Sequence, residues 1–99
     1  MDLKEDLMKN DIVILIVQKN DITNKLVEAN KLTKTDPKVS VMMLRKATLD
    51  DISFIKYVHN VISQVRLAGL KGLFLCLKED LNEQLMEDLK MFVDELKEV

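Results

Sequence analysis

The sequence predicts an α/β domain in which a small, mostly parallel three-stranded sheet carries helices on its faces. Two short apolar runs, Val39 to Leu44 and Leu70 to Leu77, flank a segment of helical period from Thr48 to Arg66, which is the pattern of a βαβ unit. Both runs are apolar at successive residues, as in strands that are covered on two sides. A further apolar run, Ile12 to Val17, supplies the first strand.

This prediction leaves two alternatives open. The sheet could be four-stranded and mixed, with one more strand than the three apolar runs. The chain could also be an all-α bundle, because short apolar runs occur as buried helix segments and residues 8 to 32 contain neither Gly nor Pro. The 99 residues are expected to form one domain, residues 1 to 99.

The first residues predict one or two turns of amphipathic helix followed by a strand. Leu3 and Leu7 have the i, i+4 spacing of one helix face. Every residue from Ile12 to Val17 is apolar and five of the six are β-branched, which favours a buried strand because such side chains pack well on a pleated surface.

The next segment predicts a helix and a break before the second strand. Asn20 and Asp21 are residues that cap helices, and apolar residues then recur at helical spacing until Leu32. Residues 33 to 38, TKTDPK, interrupt the pattern, because Pro37 disfavours helix at the residue before it. The second strand, Val39 to Leu44, follows.

The segment after the second strand predicts a capped helix. Thr48, with Asp51 three residues later, resembles a capping box at the helix start. With Thr48 as the N-cap, Ser53 would lie a full turn inside this helix. Gly69 follows the last apolar residue of the pattern and predicts a left-handed helix end. The apolar face consists of Ile52, Ile55, Val58, Ile62 and Val65.

The chain closes with a strand and a helix. The third strand runs through Leu73 to Leu77, and both crossovers between strands exceed the roughly ten residues that parallel pairing requires. Asn82 then caps a helix whose apolar residues repeat at spacings of four, three and four: Leu85, Leu89, Phe92 and Leu96.

Composition excludes several classes of function. With 15 basic and 17 acidic residues interspersed, the chain has no basic stripe to neutralise nucleic-acid phosphates. One cysteine and one histidine do not make a zinc site, and Cys76 in an apolar run suits a reducing compartment. The longest apolar run is far shorter than a membrane span, and the first residues do not resemble a signal peptide. We therefore expect a cytoplasmic protein without cofactor, metal, nucleic-acid or membrane partner.

Polar residues follow each predicted strand, at the edge where α/β proteins bind ligands. The rim candidates for an anionic ligand, with Arg45 and Lys78 holding the anion, are Asp21, Arg45, Thr48, Asp50, Asp51, Lys78 and Asn82. The alternative is a solvated rim, since strand ends are usually polar. None of the loops has a glycine-rich phosphate pattern, His59 fits no catalytic triad, and no catalytic residue is predicted.

The second half of the chain resembles the STAS domain of anti-sigma factor antagonists and stressosome scaffold proteins. The stretch VSVMMLRKATLDDISFIKYVHNVISQVRLAGLKGLFLCL follows the family's order of strand, loop with aspartate and phosphorylatable hydroxyl, long helix, small residue with glycine, and strand. The resemblance covers about residues 39 to 98. It implies that Ser53 in DDISFI is a regulated hydroxyl, with Asp50 or Asp51 as the neighbouring acid. The alternative for Ser53 is an ordinary helix serine.

Taken together, these features predict a non-enzymatic regulatory or scaffold protein that acts through protein contacts. The alternatives are a small-molecule binding module or enzyme that uses the strand-end rim, and a structural subunit of a larger assembly. We also expect a homodimer, formed through an edge strand or the last helix. Met86, Met91 and Val93 widen the apolar face of that helix.

Overall fold

The computed structural model describes residues 3 to 97, and these form an α/β fold with a parallel sheet. Each predicted strand and each predicted helix is present, so the α/β prediction is confirmed and the all-α alternative is wrong. The elements are α1 (Leu3–Lys9), β1 (Ile12–Val17), α2 (Ile22–Thr35), β2 (Val39–Leu44), α3 (Asp51–Leu67), β3 (Lys71–Leu77) and α4 (Glu83–Lys97). Two single-turn 3₁₀ helices, Lys19–Asp21 and Lys78–Asp80, follow β1 and β3.

The last strand in sequence is the central strand of the sheet. The order is β1-β3-β2, and both pairs are parallel, with Leu15 opposite Leu75 and Met43 opposite Leu75 on the other side. Within the described residues the sheet has three strands, all parallel, so the four-stranded mixed variant is not found. Six of the seven residues of β3 are buried, as expected of a strand with neighbours on both edges and helices on both faces.

Two hydrophobic clusters cover the two faces of the sheet. Side chains alternate along β3, so Leu73 joins the cluster formed with α1 and α2, whereas Phe74 and Cys76 join the cluster formed with α3 and α4. The larger cluster, on the α3 and α4 side, contains Ile12, Leu44, Phe54, Val58, Ile62, Val65, Phe74, Cys76, Leu85 and Leu89. The smaller contains Leu3, Leu7, Val13, Ala29, Val39 and Leu73.

Two helix ends follow the sequence prediction. Gly69 has φ 72°, and the N–H of Leu70 donates to the carbonyl of Val65 at 3.1 Å, which closes a Schellman motif at the end of α3. The side-chain oxygen of Asn82 accepts from the N–H of Leu85 at 2.8 Å, so Asn82 caps α4 as predicted.

The break after the first long helix starts later than predicted. Residue 33 was expected to begin the break, but α2 continues to Thr35 and the chain leaves the helical region at Asp36. Proline disfavours the helical region at the residue directly before it, so Pro37 removes Asp36 from the helix while Thr35 stays inside it. The third strand likewise begins at Lys71, two residues before the predicted Leu73.

The prediction that Thr48 caps α3 is wrong. The helix begins at Asp51, and the N-cap is Asp50, whose carboxylate accepts from the N–H of Ser53 at 2.7 Å. The chain turns at Ala47, which has a left-handed φ of 49°. Thr48 therefore stays in the loop, and the next capping residue along the chain takes the helix start.

Candidate functional site

The topology places a crevice between the carboxyl ends of β1 and β3. These strands are neighbours, but α2 leaves β1 towards one face of the sheet and α4 leaves β3 towards the other. A crevice of this kind, outside the strand ends where the connections diverge, is where open α/β sheets bind ligands. The crevice and the neighbouring end of β2 form the strand-end rim of this protein.

A carboxylate of the protein itself lies in this crevice. Both carboxylate oxygens of Glu79 accept from the backbone N–H of Lys19, each at 3.0 Å. Lys19 begins the 3₁₀ turn that leads into α2, so its N–H is one of the donors that a helix start leaves unsatisfied. Glu79 therefore takes the position at which an external anion would meet the backbone N–H of the turn after β1.

An ion pair joins the ends of β2 and β3. The Nε of Arg45 donates to Asp80 Oδ2 at 2.8 Å, and the backbone N–H of Lys46 points to the same oxygen at 3.4 Å. The hydrogen bond from Arg45 holds the pKa of the Asp80 carboxyl below its usual value, with smaller contributions from Lys46. The side chain of Asp80 is 18% exposed and that of Arg45 is 55% exposed, so the acid is the better shielded partner.

A second set of contacts extends the network to the starts of α3 and α4. Lys46 Nζ lies 3.2 Å from Asp51 Oδ1, and the side-chain amide of Asn82 donates to Asp51 Oδ2 at 3.1 Å. Asn82 at the same time caps α4 through its oxygen. One carboxylate thus links the loop after β2, the first turn of α3 and the cap of α4.

Ser53 lies in the first turn of α3, which corrects its predicted position. Because Asp50 rather than Thr48 is the N-cap, Ser53 is the third residue of the helix and is half-buried. Its N–H donates to Asp50, and this hydrogen bond, together with the Ser53 side chain, lowers the pKa of the Asp50 carboxyl. A phosphate on Ser53 would stand beside this carboxylate and repel it.

The structure brings together only part of the predicted rim. Arg45, Asp51 and Asn82 belong to the network, and Asp50 pairs with Ser53. Within residues 3 to 97, the side chains of Asp21, Thr48 and Lys78 make no hydrogen bond or ion pair with these groups. Four residues that make rim contacts were not among the predicted candidates, because nothing local in the sequence distinguishes them from solvated charges: Lys19, Lys46, Glu79 and Asp80.

His59 and Cys76 both lie in environments that indicate a structural role. His59 stacks on Phe92, with ring centroids 4.9 Å apart, and so joins α3 to α4. Burial raises the pKa of the Cys76 thiol to about 11, and Asp80 adds to this shift, so the group stays protonated and unreactive at neutral pH.

Within the part of the chain that the structure describes, no group of three His, Cys, Asp or Glu side chains could hold a metal ion. None of the helices described is both long and apolar enough to span a bilayer. Comparison of the chain with protein-family models, with curated proteins and with solved structures finds no match.

Proposed function

We propose that this protein is a non-enzymatic regulatory or scaffold module that acts through protein–protein contacts. The observation that carries the proposal is a contrast between two surfaces. At the strand-end rim, carboxylates are hydrogen-bonded across the strands, that of Glu79 to the backbone N–H of Lys19 and that of Asp80 to the side chain of Arg45. Elsewhere, large apolar side chains are open to solvent.

The paired rim favours a structural role for these charges. A catalytic acid or base must be able to reach the proton that it transfers, and a binding group must be available to the ligand. Glu79 and Asp80 instead accept hydrogen bonds from the protein, and each of these bonds joins two strand ends that are far apart in sequence. We interpret the rim contacts as structural, because they hold the carboxyl ends of neighbouring strands together.

The exposed apolar side chains favour contacts with other proteins. Ile52 on α3 is 71% exposed, Met91 on α4 is 61% exposed and Leu67 at the end of α3 is 88% exposed. Ile52 and Ile55 also line a shallow groove between α3 and α4, bordered by Lys56 and Asp88. Apolar surface rimmed by charges is typical of protein docking sites.

Regulation through Ser53 is part of the proposal. The STAS resemblance implies a regulated hydroxyl at Ser53, and the first-turn position of Ser53 places it near the backbone amides of a helix start. A phosphate there would compete with the Asp50 carboxylate for those amides and displace the cap. The cytoplasmic location predicted from the lone, buried Cys76 belongs to the same proposal.

The principal rival is an anionic-ligand module, because the N–H of Lys19 already binds a carboxylate. Glu79→Ala separates the two functions, since it opens the crevice without changing any backbone donor. Under our proposal, thermal stability falls and is not restored by acetate, phosphate or nucleotides.

The decisive measurement is thermal unfolding of the wild type and of Glu79→Ala against a panel of carboxylates and nucleotides. A ligand that binds only the folded state raises its stability by mass action. Stabilisation of either protein by several degrees with one compound would contradict the proposal and favour the ligand module. Glu28→Ala is a matched control, because Glu28 is a half-exposed acid on α2 that pairs with Lys25 and makes none of the rim contacts.

A further inference from the structure

The open edge of β1 has a defined set of unpaired backbone groups. In a parallel pair, the N–H and C=O of alternate residues point to the same neighbouring strand. The N–H of Gly72 donates to the carbonyl of Asp11 at 2.8 Å, which fixes the phase: Asp11, Val13, Leu15 and Val17 face β3. The N–H and C=O groups of Ile12, Ile14 and Ile16 therefore face outward.

This edge lacks the features that protect edge strands. Natural edges are shielded by charged side chains, proline or bulges, because unpaired backbone groups are templates for another strand. The strand IVILIV contains no charge and no proline, and it pairs without a bulge over its whole length. Ile14 and Ile16 are also only partly buried.

A groove beside the edge continues the apolar surface onto α4. Ile14 and Ile16 line it together with Leu89 and Val93, and Lys90 and Asp94 lie along its border. Lys90 and Asp94 are one helical turn apart and have opposite charges. A second α4 that approached in the opposite direction would place its Asp94 against Lys90, and its Lys90 against Asp94, so this border is complementary to itself.

A single two-fold axis can pair both the outward backbone groups of β1 and the opposite charges on α4. A two-fold axis perpendicular to the sheet and midway between two copies of Ile14 places Ile14 opposite its own copy and Ile12 opposite Ile16. All three residues have their outward groups in the phase of an antiparallel hydrogen-bonded pair, which forms about six hydrogen bonds. The same axis brings the two α4 helices together in opposite directions.

The other open edge is less suited to such pairing. The N–H of Lys71 donates to the carbonyl of Lys38, so Val39, Val41 and Met43 face outward on β2. One of these donors is already used, because the N–H of Val39 donates to the carbonyl of Asp36 at 3.2 Å. The β1 edge is the one with all its outward groups available among the described residues.

We infer, resting on the proposed role in protein contacts, that the partner at the β1 edge is a second copy of this chain. The two β1 strands pair antiparallel about Ile14, the two sheets become one six-stranded sheet, and the α4 helices meet across the axis. Val93 lies inside this interface, whereas Met91 lies on the side of α4 away from the groove.

Sedimentation equilibrium of edge variants tests the inference. The wild type should have twice the 11.4 kDa chain mass at micromolar concentration. Ile14→Pro should be monomeric, because it removes an outward N–H and no hydrogen bond within the sheet. Met43→Pro makes the same change in the same phase at the β2 edge, and should remain dimeric. Circular dichroism verifies that both variants are folded.

Charge reversal on α4 is a second test that leaves the strands unchanged. Lys90→Asp alone and Asp94→Lys alone should each weaken the dimer about tenfold, because each creates two like-charge contacts across the axis. An equimolar mixture of the two variants should associate as tightly as the wild type, since opposite charges then face each other. Glu95→Lys, the control, reverses an exposed charge on α4 that does not line the groove, and should leave the dissociation constant unchanged.

The two tests have outcomes that overturn the inference. A wild type that is monomeric at the highest soluble concentration, an Ile14→Pro variant that is still dimeric, or charge variants that do not recover on mixing would each exclude the two-fold β1 interface. None of these results affects thermal unfolding with the ligand panel, so the proposed function is tested independently.

Discussion

Gly72→Ala is the substitution whose cost can be worked out most directly from the structure. Gly72 is buried in β3, and an added Cβ would lie 2.5 Å from Phe74 Cε2, 2.9 Å from Phe74 Cζ and 3.2 Å from Ile12 Cδ1. Ordinary contacts between carbon atoms are at about 3.5–4.0 Å. The Phe74 ring, which is fully buried, would therefore have to move by about 1 Å into side chains that already surround it.

Two opposing effects determine the net free energy. Overpacking a filled core costs about 1–3 kcal/mol. Replacing glycine by alanine also reduces the entropy of the unfolded chain, which stabilises the fold by about 0.4–1 kcal/mol. The overpacking term is the larger, so we expect Gly72→Ala to lower the free energy of unfolding by about 1 kcal/mol.

Urea denaturation in two backgrounds provides the assay. Phe74→Leu removes the ring atoms nearest the new Cβ, so Gly72→Ala should cost nothing or stabilise the protein in that background. The expected coupling energy of the double-mutant cycle is about 1–2 kcal/mol. If Gly72→Ala has the same effect in both backgrounds, the contact with Phe74 is not the cause.

Gly69→Ala is the matched control for this cycle. Gly69 has φ 72°, and an added Cβ there meets nothing within 4 Å. Its substitution should cost about 1 kcal/mol through backbone strain alone, because left-handed φ is unfavourable for alanine. This cost should be equal with Phe74 and with Leu at that position.

Three further substitutions test the caps, the core and the rim. Asp50→Ala should lower the urea midpoint because it removes the cap of α3, whereas Thr48→Ala should leave the midpoint nearly unchanged. A larger decrease for Thr48→Ala than for Asp50→Ala would instead identify Thr48 as the cap. Leu75→Asp should unfold the domain, since an unpaired charge in the central strand costs several kcal/mol against a total of about 5–15, and a folded variant by circular dichroism would refute this. The pKa of Asp80 is lowered in the folded state, so its contribution to stability is complete above its unfolded pKa of about 3.9 and is lost as the pH falls through the folded value. The stability difference between the wild type and Asp80→Asn should therefore shrink as the pH is lowered from 7 to 2, and a constant difference would contradict the pairing with Arg45.

Local sequence was sufficient to predict the presence of the three strands but not their order. Residues 12 to 17 and 39 to 44 are strands with the predicted bounds, because each is an apolar run that ends abruptly in polar residues. The central position of β3 depends on which strand has both edges covered. Packing of the whole domain decides which strand is central. The nearly continuous burial of Lys71–Leu77 is a result of that position and not a signal that the sequence carries in advance.

The start of α3 shows where local rules are insufficient. Thr48 and Asp50 are both favourable N-caps, so residue type does not choose between them. The choice is made by the left-handed turn at Ala47 and by the attachment of Asp51 to Lys46 and Asn82. The latter contact joins residues that are 31 positions apart, which no local pattern displays.

The position of the strand-end rim could be predicted from the sequence, but the contacts between its residues could not. Polar residues after each strand indicated which edge to consider. The contact between Lys19 and Glu79 spans 60 positions and exists only because β1 lies next to β3. Without the strand order, the sequence therefore indicates only two separate solvated charges.

The central position of β3 has a consequence for synthesis of the chain. Ribosomes make β1 and β2 first, yet these strands never pair with each other, and both wait for Lys71–Leu77. Until then the nascent chain displays the apolar hexapeptide IVILIV with no strand to receive it, which is a composition prone to intermolecular β-aggregation. Every ladder also closes between segments distant in sequence, which slows folding. The growing polypeptide should therefore depend on chaperone protection until β3 has emerged, and be released from it in a single late step.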